Sequence, residues 1–276
     1  MSDKLILAVE NSSDIGSVAL VKETEVLAES SWNAVELRSP GLFSILKEML
    51  AGQSVTMENI AGFVIDVGPG AYSGLRASMA AVRAFALPDN KPIYAITSAE
   101  ALAFEIMNEC PGDIIQVVGD ARRQQWWNCV YQSNGDVPVV HSNLCLVAEN
   151  DFKPAAGALV VSPDWHRIGD KLINFTHRNL DSKAGRGAPG LSSGGIPAPS
   201  PEPSERAVHP ENSLCLSERE KVASRLPRII NARKVPKAGW LGKLACRKMR
   251  LKIASEPLTP IYLHAAVSER HEARSQ

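Results

Sequence analysis

Aromatic residues make up only 5% of this 276-residue sequence, cysteines number five, and no stretch of about 18 residues is both apolar and uncharged. Each shortage excludes something. The cysteines, at 110, 129, 145, 215 and 246, are odd in number, widely spaced and never in a Cys-x-x-Cys, which argues against a disulfide framework and against a cysteine zinc site. Without a long apolar run there is no membrane helix to read, and the short run Leu5 to Val9 before Glu10 is too brief for a secretion signal, so the chain is expected in the cytoplasm. None of the six histidines pairs with another at i,i+3 or i,i+4, so no helical two-histidine metal site is expected. A P-loop string is absent, and Gly185-x-Gly187-x-x-Gly190 follows no strand, so it is only a string match to a dinucleotide fingerprint. Excess charge of one sign is lacking too: 30 Lys+Arg face 30 Asp+Glu, which at face value speaks against a polyanionic partner.

What is present is an α/β pattern. Residues 4–10 and 15–22 are aliphatic and separated by Asn11-Ser-Ser-Asp14, with 24–30 a third strand, and together they read as a meander. Ser39-Pro40 supplies a helix start, and Leu42, Ile45, Leu46, Met49 and Leu50 then share one face, giving a helix over 39–51. Residues 61–67 form a buried-type strand, Gly68-Pro-Gly70 breaks it, a helix runs over 73–87, and 92–97 is another strand. The order β-β-β-α-β-α-β is that of a ribonuclease-H-like unit. After a helix over 98–108 the pattern restarts, with strands near 113–119, 126–132, 137–147 and 158–161. The expected division is therefore a first half over 1–98 and a second over 99–183 plus 212–276. Residues 184–211 are rich in Pro, Gly and Ser and read as a flexible insertion, followed by helical patterns around 215–230 and 236–250 and a short strand over 259–263.

Three groups of residues are candidates for function. In Gly68, Pro69, Gly70, Ser73, Gly74 and Arg76 a strand ends in a glycine turn that Ser73 caps, aiming backbone N–H groups at a crevice where an anion can sit; the alternative is a plain tight turn. Arg76 near the start of a helix opposes the macrodipole and asks for a negative partner. Asp120 and Arg122 follow a strand and either satisfy each other or face the crevice. The apolar faces of the two helices, with Leu42, Ile45, Leu46 and Met49 on one and Leu75, Met79 and Val82 on the other, pack on the sheet or form a subunit interface. A two-metal nuclease would use Glu10, Glu48 and Asp66, but at 100° per residue Glu48 points about 130° away from the apolar stripe, toward solvent.

These residues together resemble the bacterial TsaB family, also called YeaZ. Val9-Glu-Asn-Ser-Ser13 and Ser17-Val-Ala-Leu20 are similar to its opening strand, turn and second strand. Gly68-Pro-Gly-Ala-Tyr-Ser-Gly-Leu-Arg76 resembles its signature, as do Val118-Gly-Asp-Ala-Arg-Arg-Gln-Gln-Trp126 and Pro260-Ile-Tyr-Leu-His264 its later motifs. The resemblance implies an actin/Hsp70/sugar-kinase-like α/β fold, two ribonuclease-H-like halves around a cleft. It also implies a noncatalytic subunit in the formation of threonylcarbamoyladenosine beside the tRNA anticodon. Such a chain has no catalytic residue, metal or cofactor of its own. It pairs with the catalytic paralogue TsaD, is joined by the ATPase TsaE, can also pair with a second copy of itself, and meets tRNA through the complex; ATP and metal belong to the partner subunits. The helices matching 39–51 and 73–87 are those through which the family pairs, which assigns their apolar faces to a partner interface. Glu10 stands where the family has Asp, and its longer arm intrudes on a phosphate site. Competing readings are an autonomous ATPase or kinase of the same fold and, further off, a metallopeptidase or a nuclease. Finally, the net charge of zero conceals segregation: Arg219 to Lys252 holds 12 Lys+Arg and one acid, Glu220, while the rest of the chain is acidic. That segment is either a solvated basic pair of helices or a surface that helps the complex hold tRNA phosphates.

Overall fold

The aliphatic strand β1 (Leu5–Glu10) lies at the centre of the first sheet because its side chains are covered on both faces. In the computed structural model, which describes residues 4–34, 40–184 and 227–264, β1 pairs antiparallel with β2 (Ile15–Lys22) and parallel with β4 (Ile60–Asp66). Strands β3 (Glu25–Asn33) and β5 (Ile93–Ile96) complete the order β3-β2-β1-β4-β5. The second sheet repeats the plan. Strand β6 (Ile114–Arg122) pairs antiparallel with β7 (Gln125–Ser133), which pairs antiparallel with β8 (Pro138–Ala148). On the other side of β6 lie β9 (Ala158–Val161) and β10 (Arg228–Ile229), both parallel to it, for an order β10-β9-β6-β7-β8. Each half is thus the same three-strand meander with parallel strands added beside its first strand, the ribonuclease-H-like unit that the element order predicts, and the two together make the actin/Hsp70/sugar-kinase-like architecture that the resemblance implies.

Helix α1 (Pro40–Gly52) and α2 (Tyr72–Ala86) cover one face of the first sheet. Strand alternation puts Leu7, Val9, Val18, Leu20, Phe63 and Ile65 on that face, and the helices meet them with their only apolar stripes. This corrects the partner-interface assignment. Leu42, Leu46, Met49, Leu75, Met79 and Val82 are buried in the chain's own core, and Ile45 packs against it half-buried. A sheet of this composition needs a lid, and a helix with one apolar stripe has none left for a partner. The outer face of α2 carries instead Ser73, Ala77, Ala80 and Ala84, all exposed, ending at Leu87, which is 79% exposed.

The other face of the first sheet is lined by small residues, Ala8 and Ala19, with Val21 and Val64. Helix α5 (Ala238–Arg250) packs there through Leu241, Leu244 and Ala245, and a β-carbon on its Gly242 would run into Val21 and Ala8. Although expected with the second half, this helix therefore covers the first. Helix α3 (Ser98–Glu109) runs between the halves and is buried from Ser98 to Met107; α4 (Trp165–Ala184) covers the second sheet through Ile168 and Leu172. The expected strand over 259–263 is not one. The chain there is an extended segment crossing between the halves, and Ile261 N–H donates to the Val67 carbonyl at 2.8 Å. The Ser39 cap, the insertion from 185 on and most of the 215–230 pattern lie outside the described residues.

The segregated charge has a structural explanation. Lys234, Lys237 and Lys248 reach Glu109, Glu105 and Glu100 on α3 at 2.7–2.8 Å. Arg228 pairs with Asp113 and Arg233 with Asp14. Three cations of the basic segment are thus counter-charges of the acidic helix it lies against. Burial raises the Glu100 carboxyl, and Lys248 beside it offsets part of the shift.

Candidate functional site

Between the halves lies a cleft of about 1250 Å³. Its first-half wall is the β1–β2 turn, Asn11 to Asp14, together with the loop from β4 into α2. These two segments are locked together. Ala71 N–H donates to the Ser12 carbonyl at 2.6 Å, and Asn11 Nδ2 to the Gly74 carbonyl at 3.2 Å. Gly70 and Gly74 are glycines because a β-carbon on either would fall on the carbonyl of Ser12 or Asn11. The Ala71 N–H at the start of α2 is consequently taken by the chain's own turn. Ala71, not Ser73, takes the N-cap position and makes no side-chain bond, while Ser73 is exposed. Arg76 finds an aromatic partner instead of an acid: its Nη1 donates to the Tyr72 hydroxyl at 2.6 Å and its guanidinium sits 5.2 Å from that ring's centre. Pro69, Gly70, Ser73 and Gly74 line the cleft, whereas Gly68, in the left-handed region at φ 94°, and Arg76 stand outside it.

The second-half wall is the β6–β7 turn. Arg122, Arg123 and Gln124 are three consecutive non-glycine residues with positive φ, at 65°, 55° and 60°. Such backbone is costly and is held here by side chains. Arg122 N–H donates to Asp120 Oδ1 at 2.8 Å, its guanidinium pairs with the same carboxylate at 3.1 Å, and Asp120 N–H donates to Asp164 Oδ2 at 2.9 Å. Arg167 at 3.3 Å from Asp164 completes a balanced set of two arginines and two aspartates. Asp120 and Arg122 thus satisfy each other and also face the cleft. Across the opening, His264 Nε2 lies 2.6 Å from the Ala121 carbonyl, and the Tyr262 ring packs on Tyr72 at 5.2 Å.

Beneath the first wall is a pair of carboxylates. Glu10 ends β1 and Asp66 ends β4, neighbours on the face opposite α1 and fully buried. Ser12 N–H and Oγ–H donate to Glu10 Oε1, and Asn11 N–H to Asp66 Oδ1 at 3.1 Å, but Glu10 Oε2 and Asp66 Oδ2 have no hydrogen-bond partner. Burial, then the Asp66 charge, raises Glu10 well above the ordinary carboxylate range, and burial pushes Asp66 up to about 7. Glu48, the third carboxylate of the nuclease reading, is exposed on α1 across the sheet, so the three do not converge. Among the described residues no three His, Cys, Asp or Glu side chains gather as metal ligands would.

Sequence reading missed Asn11, Ser12, Asp164, Arg167, Tyr262 and His264 as cleft residues. A signal for Asp164 exists: Ser162-Pro-Asp164 follows β9 as Gly68-Pro-Gly70 follows β4, at the same place in the repeated topology.

Comparison with known proteins agrees with this architecture. The profile of the family described as TsaD, tRNA N6-adenosine threonylcarbamoyltransferase, matches residues 39–269. An uncharacterized protein of Mycobacterium tuberculosis H37Rv is 25% identical over 124 residues, 44% of this chain and 57% of that protein, so the match spans little more than half of that relative. The tRNA threonylcarbamoyladenosine biosynthesis protein TsaB of Buchnera aphidicola is 27% identical over 180 residues, 65% of this chain and 84% of that one. The solved structure of YeaZ from Pseudomonas aeruginosa superposes with a TM-score of 0.64 at 17% identity, covering 94% of this chain and all of that one, and shares its fold. No helix among the described residues is long and apolar enough to cross a membrane. With the family match covering residues 39–269, the chain belongs to the TsaB (YeaZ) branch of the tRNA N6-adenosine threonylcarbamoyltransferase family.

Proposed function

We propose that this chain is a noncatalytic subunit of the cytoplasmic complex that forms threonylcarbamoyladenosine in tRNA, pairing with a TsaD-type transferase in an assembly that a TsaE-type ATPase joins. The observation that carries the reading is the outer face of α2. Ser73, Ala77, Ala80 and Ala84 recur at helical spacing, are all exposed, and leave the backbone open to close approach by another helix. Phe43 of α1, 53% exposed and edge-on to Phe85, stands beside them as an aromatic anchor. This is the face the two helices offer once their apolar stripes are spent on the sheet.

The cleft supports the noncatalytic part of the reading. The fold class implies a nucleotide between the halves, and the residues present do not fit one. Two amides of the wall that would face its phosphates are used inside the chain, Ser12 N–H on Glu10 and Ala71 N–H on Ser12. Arg122 and Arg167 are neutralised by Asp120 and Asp164. An autonomous kinase or ATPase therefore has little to work with here, and ATP and metal chemistry fall to the partner subunits.

The test is co-elution of the purified chain with the TsaD-type protein of the same organism, with and without ATP, and threonylcarbamoyl transfer by the mixture. The expected result is a stable pair and increased transfer; neither pairing nor increase would sink the proposal. Ala80→Arg is expected to abolish pairing while shifting the melting temperature by no more than a surface substitution does, within about 0.5 kcal/mol. Pairing that survives this change would remove the α2 face from the interface.

A further inference from the structure

The basic segment holds more cations than its ion pairs use. Of its described cations, Arg228, Arg233, Lys234, Lys237 and Lys248 are each bound to a carboxylate. Lys243, Arg247, Arg250 and Lys252 are in no ion pair among the described residues. Three of these recur on α5 at i, i+4 and i+7, which places them on one face over about 10 Å of helix. The stems are held in place. Lys243 lies with its ammonium 4.6 Å from the centre of the Trp240 ring, one turn back on the same stripe. Arg247 lies 5.1 Å from the Phe104 ring centre and donates to the Asp136 carbonyl at 3.0 Å. Arg250 and Lys252 are exposed beyond them, and α5 contains no Asp or Glu. A line of cations steadied by aromatic rings, with no acid on its own helix, is complementary to a linear polyanion and not to a single carboxylate.

We propose that the stripe Lys243–Arg247–Arg250, extended by Lys252, is a binding surface for the ribose–phosphate backbone of an RNA. The choice of RNA among polyanions rests on the function proposed above; the surface itself rests on the arrangement of the cations. Contacts of this kind position a nucleic acid without reading its bases and release counterions when they form.

The experiment measures binding of a fluorescently labelled, unmodified tRNA transcript to the full chain by anisotropy across a salt series from 50 to 200 mM. It compares the wild type with the triple variant Lys243→Gln, Arg250→Gln, Lys252→Gln, which spares Arg247 and its packing on Phe104. A second variant, Lys4→Gln with Lys153→Gln, removes exposed charge elsewhere. The triple variant is expected to bind at least ten-fold more weakly at 50 mM, and its slope of log affinity against log salt is expected to be shallower by about two, while the second variant stays within about two-fold. Equal binding by the triple variant and the wild type, or no salt-dependent binding by the wild type, overturns the proposal. Displacement of the tRNA by polyglutamate or by phosphatidylserine vesicles at equal charge overturns the assignment to RNA. Co-elution with the transferase is read on the same variants. Pairing retained with tRNA binding unchanged rejects the stripe alone, whereas pairing lost by the wild type rejects the subunit function alone.

Discussion

Met79→Arg is expected to unfold the chain. The side chain is 4% exposed and belongs to the same cluster as Leu46, Phe63, Ile65 and Val82, between α2 and the first sheet. Removing a buried methionine costs about 1.5–3 kcal/mol of burial. The guanidinium adds the larger part, because nothing described in that cluster can pair with it and a buried charge without a partner costs several kcal/mol more. The sum approaches the whole stability of a typical domain, about 5–15 kcal/mol. Soluble yield and near-ultraviolet circular dichroism should both collapse. Ala80→Arg, one residue later and about 100° around the helix, introduces the same group on the exposed side and should leave both unchanged. The contrast separates a core position from an interface position within one turn. A folded Met79→Arg protein with the wild-type melting temperature would return the buried stripe to the role of partner surface.

That pair of neighbours also shows what was legible in the sequence. Periodicity located both helices to within a residue or two and identified the stripe Leu75, Met79 and Val82, because 3.6-residue spacing is a property of the local chain. It did not say what the stripe touches. A sheet face and a partner helix ask for the same apolar side chains, and only the count of faces needing cover decides between them. The repeated strand order was legible for the same reason, since the meander and the turns are local. The cleft was half legible. Pro69, Gly70, Gly74, Asp120 and Arg122 are in it, but the glycines are there so that the turn at Ser12 can press on α2, a contact between residues about sixty positions apart. Asp164, Arg167 and His264 join the cleft only through the packing of the second half and the returning C-terminal segment. Charge followed the same rule. The segregation between residues 219–252 and the remainder could be counted, but that Glu100, Glu105 and Glu109 face Lys248, Lys237 and Lys234 needed α3 and α5 side by side.

The buried carboxylates make the second large prediction, with a sign opposite to ordinary acid denaturation. Most carboxylates in folded proteins are paired and titrate lower than in the unfolded chain, so acid destabilises. Asp66 is pushed by burial from 3.8 up to about 7, and Glu10 beside it is raised as well. Between those values the folded chain holds a proton that the unfolded chain has released. The derivative of stability with pH is then negative: the contribution is fully present below about pH 4 and is lost as pH rises through 7. At about 1.4 kcal/mol per pKa unit, the loss is on the order of 4 kcal/mol by pH 8. Asp66→Asn removes the Asp66 titration and keeps an acceptor for the Asn11 N–H. The variant should match the wild type near pH 4 and exceed it by several degrees in melting temperature at pH 8. Parallel melting curves for the two proteins from pH 4.5 to 8 would mean that the carboxyl is not held in a dry pair. The consequence reaches the cleft, because Asp66 and Glu10 are the groups that the Asn11–Ser12 turn bonds to. Ionising Asp66 places a charge beside the buried Glu10 carboxyl, under the wall at the start of α2, so the Ala71 N–H that bonds the Ser12 carbonyl should exchange faster at pH 8 than at pH 6 in the wild type and equally in Asp66→Asn, after correction for the intrinsic rate.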